Sequence, residues 1–207
     1  MKIEINLKII LVLILFFIFN NINTYIIFII FILIHELAHM FIGVLIGGTP
    51  KKLVLNPFGI SLEFYSYGKD KFWYKILFYI IGPIANLIIA FIFLKLDNYN
   101  FYKQEIIYTN LALCFFNLIP ILPLDGGKIL KELLKSIVGL EKANKFIIIF
   151  SKIILISISF TYSILIIKVK NIMILFLLLY LWYLYMIEEK RYYIYKRTSD
   201  SIKSIVS

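Results

Sequence analysis

The sequence predicts an all-α polytopic membrane protein of about six transmembrane helices, with a short β-hairpin at the membrane surface between helices 2 and 3. Three observations carry that reading. Of 207 residues, 62% are hydrophobic and only 16% charged; apolar runs recur along the whole chain; and one interval between them is rich in Gly and Pro. Soluble domains are about 45–50% apolar and about 25% charged, so this chain holds more apolar surface than one water-facing core of its length could hide. At roughly 20 residues per crossing, the length allows about six spans and leaves no room for a sizeable soluble domain. Residues 1–207 therefore read as one integral membrane domain. Disorder and a disulfide scaffold are excluded by the same composition, and Cys114, the lone cysteine, cannot form an intramolecular bridge.

The first apolar run, Ile9 to Phe19, follows Lys2 and Lys8 and imitates a signal peptide. No small-residue cleavage site follows it, so it reads as an uncleaved first helix. The second span runs from about Tyr25 to Ile46, the third from Ile76 to Leu94, the fourth from Ile106 to Pro120, the fifth from Phe146 to Ile167 and the sixth from Ile172 to Ile187. Between spans two and three, Gly47 to Phe72 breaks the helical pattern with Gly47, Gly48, Pro50, Pro57, Gly59 and Gly68. Within it Ile60, Leu62 and Phe64 alternate with Ser61, Glu63 and Tyr65, which is the period of a strand with one apolar face.

A net charge of +10 does not point to nucleic acid here, because the basic residues are scattered between apolar runs. They act as topology signals. Seventeen of the 22 Lys and Arg residues fall in the terminal segments and in the loops after spans two and four, against four in the loops on the other side. Both termini of this multi-pass cell-membrane protein are therefore expected in the cytoplasm.

Between Thr24 and Gly48, Tyr25 aside, the only ionisable side chains are His35, Glu36 and His39, spelling His-Glu-Leu-Ala-His inside an apolar helix. An ionisable group at membrane depth costs several kcal/mol and is a functional signal by default. The i, i+4 spacing puts both imidazoles on one helix face, where neutral nitrogens can bind Zn²⁺, and Glu36 is close enough to take a proton from a metal-bound water. Both histidines of the chain are spent on this motif. A catalytic zinc site takes three protein ligands, so one more must come from elsewhere. From Ile106 to Gly127, apart from Tyr108 and Cys114, the only ionisable side chain is Asp125, in Asn117-Leu-Ile-Pro-Ile-Leu-Pro-Leu-Asp125-Gly-Gly127. Prolines and glycines unwind the chain there, and irregular backbone at membrane depth is tolerated where it lines a cavity or packs on protein. Asp125 is thus the candidate third ligand; its local alternative is an N-cap for the helix that follows.

Three signatures now stand together: His35-Glu36-x-x-His39 on an early span, Asn117-x-x-Pro120-x-x-x-x-Asp125-Gly126 on a later one, and Gly82-Pro83-x-x-Asn86 between them. They resemble the site-2 protease family of intramembrane zinc metalloproteases, and Pro123-Leu-Asp125-Gly-Gly127 resembles the branch of that family that acts in bacterial sporulation. The resemblance covers about residues 25–135, the catalytic core. It implies cleavage of a membrane-tethered protein, such as a sporulation sigma-factor precursor, with His35, His39 and Asp125 as ligands and Glu36 as general base. It implies also that Asn86 and Asn117 lie near the site as substrate contacts. The segment around Leu62 is expected to pair with an extended substrate. Expected partners are the substrate, the lipid bilayer and an inhibitory membrane protein that keeps the enzyme silent. Only about 20 residues follow the sixth span, so neither the CBS domain common in the sporulation branch nor the PDZ domain of other branches is expected.

Two other function classes compete. A membrane metal transporter also places His and acids in spans, but would spread them along a path rather than cluster them beside a glutamate. A non-cutting scaffold would be expected to have lost Glu36 or a ligand. A different HExxH metalloprotease could use Glu132 or Glu141 as third ligand, yet both lie outside the apolar runs.

Overall fold

The computed structural model describes residues 2–5, 22–56, 59–66, 71–96, 102–169 and 172–206. The chain divides into two compact units, Met1–Leu118 and Ile119–Ser207.

The first unit contains β1 (Lys2–Ile5), α1 (Ile22–Leu45), β2 (Thr49–Asn56), β3 (Gly59–Ser66), α2 (Phe72–Lys95) and α3 (Lys103–Leu118). Helix α1 shows why a nearly all-apolar helix still has two faces. Ile26, Ile30, Leu33, Leu37, Phe41 and Val44 form an exposed stripe at helical spacing, while Tyr25, Ile32, His35 and His39 form a buried one. The exposed stripe suits lipid, and the polar groups turn inward. Phe31, Ile32 and Leu113 make the core of this unit, with Ile27, Phe28, Ile89 and Ile106 packed around them. On α2 the buried residues Phe78, Gly82, Asn86 and Ala90 repeat every four residues, so a single stripe of that helix faces inward.

The three strands form one sheet in the order β1-β2-β3. β2 and β3 pair antiparallel with Leu53 opposite Leu62, and β1 joins β2 in parallel with Ile3 opposite Leu53. Strand β1 is absent from the sequence reading: Lys-Ile-Glu-Ile alternates for only four residues, too few to separate from noise. Because β2 is central, β3 has an outer edge with no strand on it among the described residues.

The second unit contains α4 (Asp125–Val138), α5 (Leu140–Val169) and α6 (Ile172–Val206). Ala143, Ile147, Ser151 and Leu155 line the buried side of α5, and Leu178, Leu181 and Tyr185 that of α6. The indole N–H of Trp182 donates to Ser159 Oγ at 3.0 Å, tying these two helices at mid-length.

Three helical segments among the described residues are long and apolar enough to cross a membrane: Asn23–Leu45, Phe72–Lys95 and Leu140–Ile164. They coincide with the second, third and fifth of the six expected spans. The first expected span, 9–19, lies outside the described residues. The fourth is helix α3, whose 16 residues rise roughly 24 Å, short of the about 30 Å hydrocarbon layer. Its first turn also carries Lys103 and Glu105. The sixth lies within α6, a helix of 35 residues that continues far beyond Ile187.

Candidate metal centre

His35 and His39 stand one turn apart on the buried stripe of α1, only 3% and 4% exposed. Their Nε2 atoms face each other at 3.1 Å. Two nitrogens each 2.0–2.1 Å from a tetrahedral metal would lie about 3.3 Å apart, so the pair is spaced as two ligands of one ion would be. His39 Nδ1 lies 2.5 Å from the carbonyl oxygen of Phe78. A carbonyl only accepts, so Nδ1 carries the proton and Nε2 presents its lone pair, the tautomer that a metal requires. Glu36, half-buried, follows His35 directly.

Helix α2 reaches this pair through Gly82. A Cβ there would overlap His39 Nε2 and sit 2.6 Å from His35 Cε1 and Nε2, so no residue larger than glycine fits. Pro83 follows within the helix. It supplies no N–H, so the Tyr79 carbonyl one turn back lacks its usual helical donor. One turn beyond Gly82, on the same face, Asn86 is fully buried and neither atom of its amide has a hydrogen-bond partner among the described residues.

In the second unit, Asp125 is the first residue of α4 and is 5% exposed. The N-cap is Leu124. The alternative that Asp125 itself caps the helix is therefore not what the fold adopts. Lys128 Nζ pairs with Asp125 Oδ1 at 3.2 Å, one turn on. The loop leading to Asp125 is braced twice. Ser151 Oγ accepts the N–H of Leu122 at 3.1 Å, and Gly127 packs so close that a Cβ would lie 2.5 Å from the backbone of Ile121.

The other expected site residues are placed differently. The amide of Asn117 donates to the Leu113 carbonyl of its own helix at 3.0 Å, the ordinary local bond of a helical Asn. Leu62 lies in the middle of β3. Sequence reasoning missed the Phe78 carbonyl, which no side chain announces, and the bond between Lys128 and Asp125, which the Asp-x-x-Lys spacing could have signalled.

Comparison with known proteins fits this geometry. The profile described as peptidase family M50 matches residues 98–161. Stage IV sporulation protein FB of Bacillus subtilis is 31% identical over 118 residues, 55% of this chain and 41% of the relative. A zinc metalloprotease of Methanocaldococcus jannaschii is 31% identical over 121 residues, 55% of this chain and 35% of the relative. The solved site-2 protease of Methanocaldococcus jannaschii superposes with a TM-score of 0.69 at 25% identity, covering 90% of this chain and 89% of that one. The chain resembles peptidase family M50 and the site-2 proteases. The chain spans less than half the length of these two curated relatives, while the solved site-2 protease matches it nearly from end to end.

Proposed function

We propose that this chain is an intramembrane zinc endopeptidase that cuts a membrane-tethered protein precursor. The observation that carries the reading is the facing Nε2 pair of His35 and His39 with Glu36 beside it on one apolar helix. The peptidase family match and the relatives named as zinc metalloproteases support it. His35 and His39 would hold the ion with Asp125 as third ligand, supported by the need for three protein donors and by a buried carboxylate on a braced loop. Lys128 pairs with that carboxylate at Oδ1. Zinc in this site would polarise the scissile carbonyl and acidify a water. The Glu36 carboxylate then accepts the proton of the attacking water and returns it to the departing amide nitrogen.

Asn86 and Asn117 complete the reading as substrate contacts. The unmet donor and acceptor of the Asn86 amide support its part, since a peptide backbone offers one of each. For the substrate itself, the likeness to a sporulation protein supports a membrane-associated sigma-factor precursor. An inhibitory membrane protein that keeps the site silent belongs to the same proposal, as do the assignment of 25–135 to the catalytic core and the cytoplasmic termini. Co-expression with candidate tethered precursors, beside the Glu36→Gln variant, tests the activity. Product from the parent chain alone supports it, and equal product from both removes it. Orientation is checked by reporters. Fusions near Asn98 or Asn171 should read the outside and those near Lys69, Lys142 or Ser204 the cytoplasm, as the basic-residue asymmetry requires. An outside signal at Lys69 would reverse the topology.

Substrate delivery sets a further requirement. His39 lies six residues before the end of α1 at Leu45, roughly 9 Å along the helix axis. A helical substrate cannot offer its peptide bonds to a metal while they are hydrogen-bonded internally. It must unwind, and the outer edge of β3 is proposed to take up the freed groups. Leu62→Pro removes a donor from the middle of that strand and leaves every ligand in place. Cleavage should fall about tenfold or more with zinc content unchanged, and substrates with helix-breaking residues near the cut should suffer least. A stable-helix substrate cut as well as by the parent would exclude this edge.

A further inference from the structure

The second unit contains a cavity of about 330 Å³ that the protease reading does not use. That volume lies at the lower end of ligand pockets, about 300–1,000 Å³. Lys131 of α4, Asn144 of α5, and Glu188, Arg191, Tyr192 and Tyr195 of α6 form its polar wall. Asn144 sits in the first turns of the membrane-crossing segment Leu140–Ile164. The α6 residues come just after the apolar stretch that ends at Ile187. The cavity thus lies at the start of a segment apolar and long enough to cross a membrane and just past an apolar stretch of α6, and the ends of apolar segments are where tyrosines meet lipid headgroups.

Its chemistry is that of an anion site with an additional acceptor. Glu188 already accepts from Arg191 at 2.7 Å, which leaves Lys131 as the excess positive charge. Burial holds the Lys131 ammonium below the usual lysine range, with Glu188 and then Glu132 acting in the opposite direction; an anion beside it would offset that cost. Asn144 is 9% exposed and its Oδ1 has no hydrogen-bond partner among the described residues. A bare phosphate would leave that oxygen unmet, whereas a hydroxyl on the phosphate ester would satisfy it. Ile147 and Ile148 also line the cavity, and they give it an apolar side suited to the start of an acyl chain.

We propose that this cavity binds the headgroup of an anionic phospholipid whose phosphodiester bears a hydroxylated group, phosphatidylglycerol being the simplest. Lys131 and Arg191 donate to the phosphate oxygens, and Asn144 Oδ1 accepts from the headgroup hydroxyl. Basic pockets at helix ends recognise lipid headgroups by this physics.

The test is lipid titration of the purified full chain in neutral detergent, followed by native mass spectrometry. Phosphatidylglycerol should bind about tenfold more tightly than phosphatidylcholine. Lys131→Gln combined with Arg191→Gln should erase that preference. Lys190→Gln combined with Lys196→Gln, an equal charge change at exposed positions outside the cavity, should keep it. Should the first pair fail to fold, Asn144→Leu removes the acceptor of the headgroup hydroxyl and should reduce the preference for phosphatidylglycerol. A preference that survives the substitutions in the cavity, or equal binding of the two lipids, overturns the proposal. Binding of soluble sn-glycerol 1-phosphate without binding of the lipid overturns the lipid as source.

Discussion

Glu36→Gln should leave zinc in place and stop cleavage. The substitution keeps the size and helix preference of the side chain and touches neither imidazole, so the metal donors remain. What it removes is the carboxylate proposed to take the proton of the attacking water. Loss of a general base typically costs about 10²–10⁴ in rate, and the fully amidated side chain has no second route to the same proton. The measurement is paired: zinc per chain by atomic spectroscopy, and product from a tethered precursor under matched expression. Parent-level zinc with product reduced at least a hundredfold is the expected result. Ample product from the variant would remove Glu36 from the mechanism.

Gly82→Ala should have the opposite signature, with metal and activity lost together. The added methyl would occupy the space of the His39 Nε2 atom and approach the His35 ring to 2.6 Å. His39 cannot swing aside without breaking its bond to the Phe78 carbonyl, and α2 cannot retreat without opening the contact between two buried helix faces. Zinc affinity should fall by at least the about 10–100-fold that follows loss of an outer partner of a ligand. The contrast between the two variants separates a residue that performs chemistry from one that makes room for it. Normal zinc binding by Gly82→Ala would show that α2 does not approach the pair as closely as described.

The residues that announce chemistry were legible because they are out of place. His35, Glu36 and His39 interrupt a 24-residue apolar helix, and Asp125 stands alone in a stretch of apolar, proline and glycine residues. What remained hidden was geometry carried by the backbone: the Phe78 carbonyl and the Leu122 N–H leave no mark on the sequence, and Gly82 stands in it as part of a motif with no sign of what it touches.

The fold was legible to the same degree. Apolarity located α1 and α2 to within four residues at each end, since there the helix and the apolar run nearly coincide. It failed where they diverge. Helix α5 begins at Leu140, six residues before its apolar run, because Glu141, Lys142 and Lys145 favour helix though not lipid. Helix α6 runs on past Ile187 through Glu188, Glu189, Lys190 and Arg191 for the same reason, with no Gly or Pro to stop it. Helix α4 lies in an interval whose Lys128, Lys131 and Lys135 stand out as topology charges, while Ile129, Leu130, Leu133 and Ile137 between them make it amphipathic.

The most direct test of the central claim follows zinc and cleavage together in the purified chain and its Asp125→Ala variant. After chelation the parent should stop cutting a tethered precursor, and activity should return in proportion to added zinc, saturating at one ion per chain. Asp125→Ala should bind little zinc under the same conditions and recover no cleavage. A zinc-free parent that still cuts, or an Asp125→Ala variant that fills with zinc and cuts as the parent does, would contradict the account.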